Sequence, residues 1–168
     1  MPSLLIMGVL SSDEGVHPGL FALLTQQFGP ILEMSEHAPF TFTDYYDEEM
    51  GCEPQRFFLV FEKLYDPSLL AEAKLITNEL EEKFKKEGCR TINLDPGLIS
   101  APNLILATTK NRGHRIPLQK GIYAEVTLIY EKGQYNALPW TYADYGSEAF
   151  RLLFKRYRRE YMARIKAL

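Results

Sequence analysis

The stretch GIYAEVTLIYEKGQYNALP, residues 121–139, decides the fold class. Ile122, Ala124, Val126, Leu128 and Tyr130 alternate with Tyr123, Glu125, Thr127 and Ile129, and Gly133 supplies a turn, so the segment reads as a β-hairpin. Working outward, RFFLVFEKL (residues 56–64) is a strand rich in aromatic residues, and Leu4 to Leu10 is a short apolar run suited to a buried strand. Helical spacing appears from Pro18 to Phe28, stopped by Gly29 and Pro30, and from Pro67 to Glu87, capped by Asp66 and ended by Gly88. In the second helix Leu69, Ala73, Ile76, Leu80 and Phe84 form an apolar stripe. Ser147 to Leu168 forms a third helix, with Phe150, Leu153, Phe154, Tyr157, Tyr161 and Ile165 on one side. TINLDPGLIS (residues 91–100) reads as a strand ending in an Asp-Pro-Gly turn, and APNLILATTK (residues 101–110) as a short helix capped by Ser100. The expectation is a single α+β domain over residues 1–168, with a mixed or mainly antiparallel sheet and three or four helices packed on it.

A chain of 168 residues, 46% hydrophobic and 24% charged, is long enough to bury a shared core and too apolar for intrinsic disorder. No apolar run approaches the roughly 20 residues of a membrane helix, so no membrane partner is expected. Two cysteines without a CxxC pair fit a reducing compartment and a cytoplasmic location. The net charge of −3 is unevenly spread. Residues 1–66 hold eleven acids against Arg56 and Lys63, whereas residues 147–168 hold seven bases against Glu148 and Glu160. The basic helix admits an RNA-binding reading, which the acidic N-terminal half opposes.

The chemistry-bearing residues concentrate in a few segments. TDYYDEEMGCE (residues 43–53) places five carboxylates within about ten positions. Hard cations such as Mg2+ or Mn2+ take carboxylate oxygens, which makes Asp44 and Glu49 the expected metal ligands, with Tyr45 and Tyr46 as ligand contacts beside them. TTKNRGHR (residues 108–115) gathers Lys110, Arg112, His114 and Arg115, donors suited to phosphate or carboxylate. An imidazole at His114 adds proton transfer, and Asp95 is a further ligand or general base. Glu125 interrupts an apolar strand and is a candidate ligand or general base; if buried it requires a partner, and Lys110 or Arg115 is the expected one. In PWTYADY (residues 139–145) Trp140 either stacks on a ligand ring or staples the last helix to the sheet. Each segment also has a structural reading, as a solvated turn, a surface loop or a packing contact. No phosphate-binding loop, dinucleotide fingerprint, nucleophile elbow or zinc helix is present.

Taken together, FTFTDYYDEEMG, NLDPGLI, LATTKNRGHRI, KGIYAEVTLIY and PWTYADY resemble the motifs of an uncharacterised prokaryotic family, domain of unknown function 4416. The resemblance runs across nearly the whole chain. It implies that Asp44, Tyr45, Tyr46, Glu49, Asp95, Lys110, His114, Arg115, Glu125, Trp140 and Asp144 belong to the family pattern, and it brings no reaction with it. Leu98, Pro102 and Ala143 depart from that pattern at packing or turn positions. The functional expectation is a small-molecule binding protein or enzyme acting on an anionic ligand, phosphorylated or nucleotide-like, with a divalent metal. Its alternative is a non-catalytic interaction protein or homo-oligomer.

Overall fold

The computed structural model describes residues 1–41, 50 and 53–168. Nine strands form one sheet: β1 (Ser3–Ser11), β2 (Ile31–Met34), β3 (Ala38–Pro39), β4 (Gln55–Tyr65), β5 (Ile92–Ile99), β6 (Asn103–Thr108), β7 (Ile116–Pro117), β8 (Tyr123–Glu131) and β9 (Gln134–Ala137). Their order is β2-β4-β1-β5-β6-β8-β7, with β3 paired to β4 and β9 to β8. Every pairing is antiparallel. Among the described residues three α-helices cover the sheet: α1 (His17–Phe28), α2 (Leu70–Lys83) and α3 (Glu148–Ile165).

The period-two alternation of the central strands divides the core into two layers. Leu5, Met7 and Val9 of β1 face the same way as Phe57, Leu59 and Phe61 of β4, and pack with Leu20 and Leu24 of α1 and Leu70 and Leu80 of α2. Leu4 and Ile6 face the other way with Phe58, Val60 and Leu104, under Phe154, Tyr157 and Tyr161 of α3. Because both faces are covered, β1 is buried along its whole length and reads as an unbroken apolar run.

Three sequence expectations are corrected here. Residues 103–108 form β6, not a helix, because Leu104 and Leu106 pack towards α3 while Ile105 and Ala107 pack towards α1 and α2. An apolar run of this length, buried on both sides, carries no periodicity that separates strand from helix. Asp95-Pro96-Gly97 lies within β5 instead of forming a turn. Gly97 is required by close approach, since a Cβ there would stand 2.7 Å from a Leu106 methyl and 3.1 Å from the Ile105 carbonyl. The α2 stripe is also rotated from the expected one. Leu69 is exposed, and the buried positions are Leu70, Ala71, Ala73, Lys74, Thr77, Leu80 and Glu81.

That rotation carries Lys74 and Glu81 into a gap in the sheet. β6 pairs with β5 only from Gly97 onward. In place of a β6 partner, Leu94 donates its N–H to Glu81 Oε2 at 3.0 Å and accepts from Lys74 Nζ at 2.8 Å on its carbonyl. The backbone groups of Leu94 therefore point towards β6, and by alternation so do those of Pro96, which has no N–H to offer a ladder. Proline thus marks the point where the two strands part.

Candidate functional site

The polar residues of the hairpin and the basic loop meet at the edge of the α3 face. Glu125 sits opposite Leu106 in the β6–β8 register and is 1% exposed. A carboxylate so deeply placed costs several kcal/mol in desolvation unless it is paired and hydrogen-bonded. Its partners come from the segment that leaves β6 and returns as β7. His114 Nε2 lies 2.8 Å from Oε1, Arg115 Nε donates to the same oxygen at 3.0 Å, and Thr127 Oγ1 donates to Oε2 at 3.1 Å. Arg115 is engaged at its other nitrogens as well, donating to the Lys110 carbonyl at 2.8 Å and to Tyr142 Oη at 3.0 Å.

His114 is stacked on Trp140, with ring centroids 4.6 Å apart and planes inclined by 13°. Trp140 is itself fixed by its indole N–H donating to the Val126 carbonyl at 2.8 Å. The imidazole therefore has one nitrogen on a buried carboxylate and one face on an indole, and its Nδ1 makes no hydrogen bond among the described residues.

Across the same face, beyond the N-terminus of α3, lies a second charged group. Arg56 of β4 donates from Nε to Asp144 Oδ2 at 3.0 Å, and its NH1 is 3.6 Å from Asp95 Oδ2. Asp95 also meets Lys74 Nζ at 3.3 Å and accepts from Asn93 Nδ2 at 2.8 Å. Its side chain is 26% exposed, whereas Arg56, Lys74 and Asp144 are buried. Tyr142 stands between the two groups. Burial pushes its hydroxyl pKa up, the Arg115 charge opposes that, and the Glu125 and Asp95 charges both add to it. Asp95 and Glu125 therefore both act on one phenol.

This constellation draws on segments from β4 to the approach to α3. The chain belongs to the family described as Domain of unknown function (DUF4416), whose sequence pattern matches residues 1–161. No curated protein and no solved structure matches it.

Of the polar residues singled out in the sequence, His114, Arg115, Glu125 and Trp140 are in mutual contact, and the backbone of Lys110 joins them. Asp95 lies in the neighbouring group with Asp144. Asp44, Tyr45, Tyr46 and Glu49 fall outside the described residues. The flanks of that acidic stretch are described: Phe40 and Met50 pack with Leu10, and the Arg56 guanidinium lies 5.4 Å from the centre of the Phe40 ring. Among the described residues no three His, Cys, Asp or Glu side chains are grouped to hold a metal ion. No helix among them is long and apolar enough to cross a membrane.

Arg56, Lys74 and Tyr142 were not singled out from sequence. A signal existed for Lys74, because a lysine four positions after Leu70 and six before Leu80 falls on the buried side of α2. Arg56 opens a strand and looks like a solvated end. The bases of α3 are largely engaged within the fold. Arg156 pairs with Glu33, Arg158 donates to the Ala101 carbonyl at 2.7 Å, and Arg151 donates to the Gly146 carbonyl at 3.0 Å. Arg164 is paired with Glu160 at 2.9 Å.

Proposed function

We propose that the protein binds a small anionic ligand at the outer face of His114 and exchanges a proton with it. The observation that carries this reading is the buried Glu125 carboxylate holding His114 Nε2 at 2.8 Å while Nδ1 of the same ring makes no hydrogen bond among the described residues. A carboxylate on one imidazole nitrogen fixes the tautomer and the ring orientation. It also stabilises the imidazolium formed when the other nitrogen takes a proton. Lys110 and Arg112, exposed on the same loop, supply cationic donors for phosphate or carboxylate oxygens. Arg115 is turned inward on Glu125 and Tyr142, so its part is to position the acid–base pair and not to grip the ligand.

Asp95 supplies a second carboxylate at the same end of the sheet, as a base or as a ligand for Mg2+ or Mn2+. Asp44 and Glu49 belong to the metal part of the proposal and Tyr45 and Tyr46 to the ligand contacts; all four lie outside the described residues. The test is a thermal-shift series with nucleotides, sugar phosphates and small carboxylates, each with and without Mn2+. A ligand at 100 times its dissociation constant stabilises the native state by about 2.7 kcal/mol. A shift that disappears in His114→Ala supports the reading, and no shift with any ligand overturns it.

A second reading, an interaction protein or homo-oligomer, is favoured by β2. This strand is at the open edge of the sheet and exposes Leu32 at 46% and Met34 at 49%. An edge strand with apolar side chains and no further strand beside it among the described residues is a template for pairing with another chain. A monodisperse oligomer in light scattering, dissociated by Met34→Lys, would support this reading over the first.

A further inference from the structure

Beside α2 lies an open cleft of about 550 Å3, lined by Asn78, Glu79, Glu81 and Glu82 of α2 with Lys85, Arg90 and Thr109. It lies across the sheet from His114 and takes no part in the function proposed above. Glu81 forms its deepest charged group, with a side chain 9% exposed. One oxygen, Oε2, accepts the Leu94 amide at 3.0 Å. The other, Oε1, is 3.9 Å from Arg90 NH1, beyond hydrogen-bond distance.

The cations around the cleft are directed at other acceptors. Arg90 donates to Asn93 Oδ1 at 3.1 Å, Lys85 pairs with Glu82 at 2.8 Å, and Lys74 turns to Leu94 and Asp95. Glu81 is consequently a buried carboxylate whose Oε1 has an ion pair with Arg90 at 3.9 Å but no cationic hydrogen-bond donor among the described residues. Burial pushes its pKa up to about 7, the Asp95 charge adds to that, and Lys74, the Leu94 amide and Arg90 offset it only in part. Such a group gains from any cation that can reach Oε1 without losing its own solvation entirely.

We propose that this cleft binds a small organic cation, an ammonium or guanidinium, with its N–H donors taken up by Glu81 Oε1 and the side-chain oxygens of Asn78 and Thr109. A planar or tetrahedral nitrogen cation suits the set because it needs directional acceptors, not a shell of anionic ligands. A divalent metal suits it poorly, since no group of three metal-binding side chains occurs among the described residues. Glu79, exposed at the rim, adds a negative charge that favours approach of a cation.

The experiment is a titration of the full-length 15N-labelled chain with methylguanidinium and with putrescine, at pH 6 and pH 8, followed by amide shifts. The Leu94 and Thr109 amides are expected to move. Affinity is expected to rise roughly tenfold between the two pH values, because the ionised fraction of a group titrating at about 7 rises from about one-tenth to about nine-tenths. Glu81→Gln keeps an oxygen for the Leu94 amide and removes the charge, and is expected to lose the pH dependence and at least about tenfold in affinity. Asn78→Ala is expected to weaken binding several-fold while keeping the pH dependence. Absence of shifts with either cation at millimolar concentration overturns the proposal. So does equal affinity in Glu81→Gln, or a response to Mg2+ alone. If Glu81→Gln fails to fold, the pH dependence of the unaltered chain and Asn78→Ala decide the matter.

Discussion

Lys74 and Asp95 meet through the sheet: the lysine belongs to α2 on one face, the aspartate faces α3 on the other, and Nζ stands 3.3 Å from Oδ1. The contact exists because β6 leaves β5 beyond Gly97, and the Lys74 ammonium fills the opening by bonding the Leu94 carbonyl as well. Lys74→Met keeps the stem volume and removes the charge. It is expected to cost about 3 kcal/mol, the lower end for breaking a buried pair, since Asp95 retains Arg56 and Asn93. Urea unfolding measures it. The Lys74→Met, Asp95→Asn double variant should lose less than the sum of the two single losses, and strict additivity would refute the coupling.

Glu81 makes stability depend on pH around neutrality. Its pKa is raised from 4.5 to about 7, so the native state binds a proton more tightly than the unfolded chain. The stabilisation is full below pH 4.5 and is lost as pH rises through about 7. The upper bound on the loss is about 3 kcal/mol. Glu81→Gln should flatten the stability profile between pH 5 and pH 8, and an unchanged slope in denaturant melts at those values would contradict the assignment.

Glu125→Ala removes the acceptor that two cationic or ionisable side chains share. With Arg115 left buried and without its carboxylate, a loss of about 3–5 kcal/mol is expected. His114→Ala, at a partly exposed ring, should cost only about 1 kcal/mol. The two variants separate architecture from chemistry: the second is expected to abolish ligand-dependent thermal shifts in a chain that still unfolds cooperatively.

Gly8 is set by Tyr145. A Cβ at Gly8 would overlap Tyr145 Oη and stand 3.3 Å from the Phe58 ring. Gly8→Ala is expected to destabilise by about 1–3 kcal/mol through overpacking. Tyr145→Phe removes the obstructing oxygen, which is buried and has no hydrogen-bond partner among the described residues, so the double variant should recover most of that loss. Thermal melts of the four proteins in the cycle test this, and no recovery would place the clash elsewhere.

The sequence by itself determined most of the element types. The β8–β9 hairpin and the apolar side of α3 from Phe154 to Tyr161 are legible, although an irregularity in the register against β6 interrupts the expected alternation and leaves Thr127 and Leu128 both buried; the charge pattern singles out Glu125 and the loop carrying His114 and Arg115. Glu125 was legible because a carboxylate within an apolar strand must be either solvated or paired. Tertiary structure alone decided that residues 103–108 are a strand and that β5 runs on through Asp95-Pro96-Gly97, since residues covered on both faces have no polar side to mark a period. It also decided that Arg56, Lys74, Asp95 and Asp144 form one group: they are distant in sequence, and their proximity follows from the order β4-β1-β5 and from the point where Pro96 ends the β5–β6 ladder. A missing backbone donor is written in the sequence. The gap it opens, and the lysine that fills it, depend on which strand lies alongside.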